Sequence, residues 1–418
     1  MNAKETHAEA AAGPVYRWLI VVMLWFVCLF NYADRQAIFS VFKVLEAEMG
    51  LTKVQQGIVG SSFMWVYAAA LPVAGIVGDR FQRKWVILSG LLFWSVITVA
   101  TGMATEYWHL VLFRALEGFG EAFYFPASMS LISDYHGPRT RSRAMALHQS
   151  SVYAGTVLGG TAAGYFADWY SWRTGFYVFG GLGCWLAAVL VLTLREPPRS
   201  VVRERRESWQ TALQNVFSHR MIFLLIVVFM GANFVAVTFL TWMPTFLKEQ
   251  YNLSLTWSGL TATLWLQAAS VVGVLGGGWL ADRLARKFFG GRLLVQTLGL
   301  ALGAPLIFLT GWTQQMGILI LAVVGFGFFK GLYDANIWAS LYDFVAKEKR
   351  ATALGLMNAL GWLGGAPAPI VVGYAAGSIG LSGALSATSL IYLGVASLLL
   401  VGLLFTRSGP VTSASQPI

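Results

Sequence analysis

Long apolar runs recur along the whole chain, separated by short polar breaks. They fall at 17–41, 55–78, 84–104, 107–134, 143–167 and 172–194. They resume at 221–247, 257–281, 292–312, 315–344, 350–376 and 380–406. Each has room for a helix that crosses a bilayer, which needs about 20 residues. In hydrocarbon every backbone N–H and C=O must be satisfied within the segment, so such runs become helices. Composition leaves no soluble alternative. Of 418 residues, 57% are apolar and only 11% are Asp, Glu, Lys or Arg, against about 25% charged in a soluble domain. So much apolar content also excludes disorder. The 45 Gly have no three-residue period, and Cys28 and Cys184 lie inside apolar runs, where they read as small buried hydrophobes. The first apolar run, from Trp18 to Phe30, continues into Asn31 and Asp34 without a small-residue cleavage site, so it reads as a retained span rather than a signal peptide.

The distribution of basic residues orients the chain. The net charge is +10, which in a soluble protein would suggest nucleic acid; here no nucleic-acid partner is expected, because the charge follows the loops. Both tails, the stretch 195–220 and alternate breaks carry 22 Lys and Arg, while the opposite side carries four: Lys43, Lys53, Arg173 and Lys248. By the positive-inside bias both termini are cytoplasmic. The stretch 195–220, with Pro197, Pro198 and six arginines, reads as a cytoplasmic linker. The expected organisation is a tail at 1–16, a six-helix bundle at 17–194, the linker at 195–220, a second bundle at 221–406 and a tail at 407–418.

The halves repeat. Gly75-Ile-Val-Gly-Asp79-Arg80 recurs as Gly278-Trp-Leu-Ala-Asp282-Arg283, 203 residues on. Arg143-Ala-Met-Ala-Leu147 recurs as Arg350-Ala-Thr-Ala-Leu354 after 207, and Asp134 as Asp343 after 209. Near-constant offsets indicate a duplicated six-helix unit. Two facing repeats of that kind hold their site near mid-membrane.

Gly75-x-x-x-Asp79-Arg80-x-x-Arg83-Lys84 resembles the loop signature of the major facilitator superfamily, and the Gly278–Arg283 copy supports it. Gln82 departs from the pattern, which usually has Gly there. The resemblance implies an all-α membrane fold of 12 transmembrane helices in two pseudo-symmetric six-helix bundles. It also implies that spans one, four, seven and ten line the cavity. Gly75, Asp79, Arg80, Arg83, Asp134, Arg143, Asp282 and Arg283 are then expected to govern conformational gating. A carboxylate at such a helix end can pair with the neighbouring bases and with a helix N-terminus.

Charges within spans cost about 2.5–3.5 kcal/mol each on insertion scales and are functional candidates. Seven occur in three spans: Asp34 and Arg35; Arg114, Glu117 and Glu121; Lys330 and Asp334. Arg114, Glu117 and Glu121 share one helix face. Glu121 and Lys330 lie 209 apart, and are thus expected at equivalent positions in the two halves. Four acids against three bases suggest pairing across a polar cavity rather than a pore of one sign.

Asn31-Tyr32-Ala33-Asp34-Arg35 resembles the first-helix motif of the anion:cation symporters, importers of sugar acids and other organic anions. Arg114, Glu121-Ala122 and Phe125-Pro126-Ala127 match the fourth helix of the same group. The resemblance implies that Arg35 grips a substrate carboxylate, Tyr32 hydrogen-bonds it, and Asp34 and Glu121 carry protons, with Arg114 tuning Glu121 or pairing with Asp34. Arginine suits the first role because its fork matches a carboxylate and it does not deprotonate. Gly120-Glu121-Ala122-x-Tyr124 with the same first-helix motif also resembles the spinster group, which moves lysolipid-like molecules. Further substrate-site candidates are Gln149 and Tyr153 on the fifth span, Lys330 on the tenth, and Asn358 and Trp362 on the eleventh, with Asp334 as a second proton-coupling acid. Most of the 17 Trp read as interfacial anchors or lipid contacts.

No metal-ligand spacing, phosphate loop or nucleotide motif is present, so no cofactor, metal or enzymatic reaction is expected. The expected function is proton-coupled import of a small organic anion by alternating access. The protein is expected to be a monomer in the plasma membrane, which for a bacterium is the inner one. The alternatives are lysolipid export and, further off, a non-transporting sensor.

Overall fold

The computed structural model describes residues 13–137, 140–196, 219–288, 290–345 and 350–408. Most of the linker at 195–220 and of both tails lies outside these, as do Arg139, Lys347 and Lys349; the side chain of Asp79 is also outside. Fourteen helices occur among the described residues. In chain order they are α1 Pro14–Ser40, α2 Phe42–Met49, α3 Lys53–Arg80, α4 Arg83–Gly102, α5 Tyr107–Ala122, α6 Tyr124–Tyr135, α7 Arg141–Trp169, α8 Trp172–Thr193, α9 Arg220–Tyr251, α10 Leu255–Ala285, α11 Gly291–Trp312, α12 Met316–Phe344, α13 Arg350–Gly365 and α14 Ala368–Ser408.

Fourteen helices make 12 crossings. The short α2 lies between the first two spans. The fourth span is α5 plus α6, broken at Phe123. Its cause is Pro126: without an N–H it leaves the Ala122 carbonyl unbonded, and its ring clashes there. Pro369 acts in the same way on Gly365, where α13 ends. The eleventh crossing therefore runs through α13 into α14, and Gly380, at φ 72°, turns the chain into the twelfth. Only Gly adopts that conformation without strain. Among the described residues nine stretches are by themselves long and apolar enough to cross a membrane. The eleventh and twelfth crossings count there as one, the fourth is broken, and α7 is diluted by polar residues.

The chain forms two compact units. The first comprises Met1–Arg205, Val237–Leu264 and Ala366–Leu381. Its core gathers Leu24, Val27, Cys28, Trp94, Tyr124 and Leu131, all buried. The face of α1 carrying Trp18, Val22 and Phe26 is exposed, as a lipid-facing surface is. Alpha-1 packs along α7 through Gly155 and Gly159, where an added Cβ would strike the backbone of Leu29 and of Ala33. Small residues four apart allow such close approach. Likewise Gly118 of α5 lies on the backbone of Phe63 in α3.

At the end of this unit where α1 begins, Arg83 pairs with Asp134. Glu196 accepts hydrogen bonds from the main-chain N–H of Arg83 (3.0 Å) and Lys84 (2.7 Å), capping α4. At the opposite end Lys43 and Lys53 meet Glu46 and Glu249. Asp168 of α7 accepts from the N–H of Leu255 (3.0 Å) and Thr256 (2.8 Å) and from the Thr256 hydroxyl, capping α10.

The second unit comprises Arg206–Ala236, Trp265–Gly365 and Ser382–Ile418. Here α11 packs on α12, and Gly361 and Gly364 of α13 seat against Phe229 and Met230 of α9. Gln296 donates to Ser340 and Asn336 to the Gly277 carbonyl, both within the buried interior. Arg292 bridges Asp282 (3.3 Å) and Asp343 (2.7 Å). The tryptophans divide: Trp108, Trp169, Trp279 and Trp312 are exposed as an interfacial belt, but Trp94, Trp172 and Trp242 are fully buried, and these three are core side chains.

Candidate functional site

The charged residues of the first and fourth spans meet inside the first unit. Arg35 of α1 donates to Glu121 Oε2 of α5 through Nε (3.2 Å) and Nη2 (2.7 Å). Its guanidinium lies over the rings of Tyr32 (4.6 Å), Phe63 (4.7 Å) and Tyr67 (4.9 Å). Cation–π attraction from three faces is strong where water is excluded. Arg35 is 7% exposed and Glu121 1%, so neither charge has bulk water to fall back on.

One turn before Glu121, a second pair is equally buried. Arg114 donates to Glu117 Oε2 at 2.5 Å, through Nη2 it reaches the main-chain carbonyl of Arg35 at 3.4 Å, and its guanidinium lies 4.6 Å from the Phe63 ring. Phe63 is therefore a wall shared by both arginines. The spacing of Arg114 and Glu117 allows this pair.

Asp34 completes the cluster. Its Oδ2 lies 3.3 Å from the hydroxyl of Thr98 on α4, and the same hydroxyl lies 3.5 Å from Glu117 Oε1. Asp34 Oδ1 and Glu121 Oε1 are buried without a hydrogen-bond partner among the described residues. Three carboxyls and two guanidiniums thus share one buried cluster.

Five sequence candidates, Tyr32, Asp34, Arg35, Arg114 and Glu121, come together here. Phe63, Tyr67 and Thr98 were not foreseen, because an aromatic or a threonine in an apolar span carries no distinguishing signal. Glu117, which the sequence left unranked, is the ion partner of Arg114. Gln149 is exposed on α7 and Tyr153 half-buried. In the second unit, Lys330 pairs with Asp334 on α12, while Asn358 and Trp362 are half-buried on α13.

Among the gating candidates, Asp134 and Asp343 each take an arginine at the start of another helix. Asp134 pairs with Arg83, and Asp343 with Arg292. Arg141 instead donates to the His136 carbonyl and Arg350 to those of Tyr342 and Val345, satisfying carbonyls at helix C-termini. Arg80, Arg143 and Asp282 are exposed and Gly75 half-buried, and Arg283 lies over the Trp279 ring. Arg292 follows Arg83 by 209 residues, the interval that separates Asp343 from Asp134, so the same ion pair occurs in each half.

Comparison with known proteins places the chain in a family. The family profile described as Major Facilitator Superfamily matches residues 24–369. A D-galactonate transporter of Escherichia coli O6:H1 is 28% identical, over 94% of this chain and 97% of the relative. A probable galactarate/D-glucarate transporter of Bacillus subtilis is 27% identical, over 87% and 86%. In fold the chain is similar to the crystal structure of a bacterial homologue of the human lysosomal transporter Spinster. That likeness has a TM-score of 0.85 at 20% identity and covers 96% of this chain and 100% of the other.

Proposed function

The chain belongs to the Major Facilitator Superfamily, and from that premise we propose that it imports a small organic anion of the sugar-acid class together with a proton. The observation that carries this reading is the buried Arg35–Glu121 pair inside its three-ring cage. A substrate carboxylate can replace Glu121 on the guanidinium only if Glu121 gives up its charge. Proton uptake and anion binding are then two halves of one exchange, and a conformational cycle that carries one carries the other.

Within this reading Arg35 holds the carboxylate and Tyr32 hydrogen-bonds it. Asp34 and Glu121 carry protons, and Arg114 sets the field around them. Gln149 and Tyr153 are further substrate-site candidates, as are Lys330, Asn358 and Trp362, and Asp334, which pairs with Lys330, is the further proton-coupling candidate. Residues 17–194 and 221–406 act as two bundles joined by the 195–220 linker, and alternating access comes from rocking one against the other. Both termini face the cytoplasm of the plasma membrane, in keeping with the Lys and Arg bias, and the monomer is the working unit. The galactonate and galactarate/D-glucarate transporters among its relatives support the substrate class.

The test is thermal stabilisation of the purified protein by sugar acids, small monocarboxylates and lysolipids, at mildly acidic and mildly alkaline pH. The expected result is stabilisation by a carboxylate, stronger in acid and absent in Arg35→Lys. Stabilisation by a lysolipid with no response to any acid would replace this reading with that of an amphipath exporter.

A further inference from the structure

Thr98 stands between two carboxyls, and neither the sequence motifs nor the family resemblance assigns it a role. Its hydroxyl oxygen lies 3.3 Å from Asp34 Oδ2, 3.5 Å from Glu117 Oε1 and 2.9 Å from the Trp94 carbonyl. All three side chains are buried, at no more than 1% exposure. A hydroxyl has one proton to donate and two lone pairs with which to accept. With two ionised carboxylates and the Trp94 carbonyl it would face three acceptors with one donor. Between a carboxylic acid and a carboxylate it accepts from the first and donates to the second.

Charge balance points to the second arrangement. Arg35 is matched to Glu121 and Arg114 to Glu117, and Asp34 has no cation of its own among its described ion pairs and hydrogen bonds. The charged or titratable groups facing Asp34 are Glu117, Glu121 and Arg114 on α5, Cys184 on α8, and its neighbour Arg35. One proton on the Asp34–Glu117 pair neutralises the cluster.

We propose that Thr98 is a positioning residue that passes the coupled proton between Asp34 and Glu117. The transfer balances. The acid O–H of Asp34 breaks as its proton binds the Thr98 oxygen. At the same time the original Thr98 proton leaves for Glu117. Threonine ends unchanged, Asp34 ends as carboxylate and Glu117 as acid. Arrival of the proton on Glu117 removes the charge that holds Arg114. Because Arg114 also reaches the main-chain carbonyl of Arg35, the event is transmitted to the residue that holds the substrate. This rests on the proton-coupled reading above.

The test compares Thr98→Val, which keeps the shape and loses the hydroxyl, with Thr98→Ser, which keeps the hydroxyl. Each is reconstituted in liposomes with a sugar acid transported by the wild type. The readout is the ratio of uptake driven by a pH gradient to exchange without one. In Thr98→Val this ratio falls about ten-fold or more and the pH profile of uptake moves, while Thr98→Ser restores both. The Thr98→Val/Glu117→Gln double variant is no worse in this ratio than the more impaired single, since residues acting in one step are not additive. A wild-type ratio and pH profile in Thr98→Val, a failure of Thr98→Ser to rescue, or additive losses in the double variant would each overturn the relay. If Thr98→Val does not fold, Glu117→Gln with and without Thr98→Ser gives the same decision: the relay is overturned if Glu117→Gln keeps the wild-type ratio or Thr98→Ser lowers the ratio by itself. Wild-type uptake that ignores the pH gradient would instead strike the proton-coupled reading itself.

Discussion

Arg35 spends two donors, Nε and Nη2, on a single oxygen of Glu121, Oε2, and Glu121 Oε1 is left with no partner among the described residues. The acid is held by one oxygen and keeps the other open to a proton. A guanidinium forked onto one atom, with rings over its plane, is a built feature rather than a chance ion pair.

Arg35→Lys keeps the charge and loses both the fork and the flat face that the three rings cover. Hydrogen bonds to charged groups contribute about 1.5–3 kcal/mol, so carboxylate affinity should fall by about ten-fold to a hundred-fold while the protein still elutes as the wild type does. Calorimetric titration with the best sugar acid measures it. Unchanged affinity would remove Arg35 from the substrate site.

Asp168 caps the N-terminus of α10 from α7. Asp168→Ala should lower stability by about 1 kcal/mol, a usual N-cap contribution, seen as a lower unfolding temperature in detergent. Asp168→Asn, which keeps an acceptor oxygen, should lose less. Equal losses would mean that charge, not the cap, matters there.

Arg292→Gln leaves Asp282 and Asp343 facing each other without their shared cation. The pair is partly exposed, so the stability loss should be about 1 kcal/mol or less. If the Arg292–Asp343 pair governs gating as its copy at Arg83–Asp134 is proposed to do, turnover should fall while KM holds. A large drop in unfolding temperature with normal turnover of the folded fraction would assign the pair to structure alone.

The cluster at the opposite end of the first unit gives a pH dependence. Partial burial pushes the Glu46 carboxyl up, but the hydrogen bond from Lys43 and the charge of Lys53 outweigh it and hold Glu46 below the usual carboxylate range. Partial burial pushes Lys43 down, and its bonds to Glu46 and Glu249 prevail and raise it. A lowered acid contributes stability above its unfolded pKa, about 4.3 for Glu, and loses it as pH falls through the lowered folded value. A raised lysine contributes below about 10.4 and loses it as pH rises through the higher folded value. The unfolding temperature should therefore be flat with respect to this cluster at neutral pH and decline below the ordinary Glu range. Glu46→Gln should flatten the acid limb, and an unchanged acid limb would show that other carboxylates set it.

Much of this was legible in the residues. Twelve crossings follow from the apolar runs because lipid leaves a helix no alternative. Asp34, Arg35, Arg114 and Glu121 stood out because charge in a span is costly. The rest was hidden for physical reasons. Phe63, Tyr67 and Thr98 sit on α3 and α4 among similar residues, and only the packing of those helices on α1 and α5 gives them meaning. The pairing of Asp134 with Arg83 depends on where α4 begins relative to α6. Arg292 was within reach, since the 209-residue interval that relates Asp134 to Asp343 also relates Arg83 to it.

The glycines of α7 have a last consequence. Where Gly155 and Gly159 admit the backbone of Leu29 and Ala33, α1 is keyed to α7 at one register. A slip along the axis would set side chains such as Thr156 or Leu158 against that backbone. Asp34 and Arg35 are therefore held at one height against α7. In the proposed cycle α1 would then travel with α7 as one piece, carrying Asp34 and Arg35 with it.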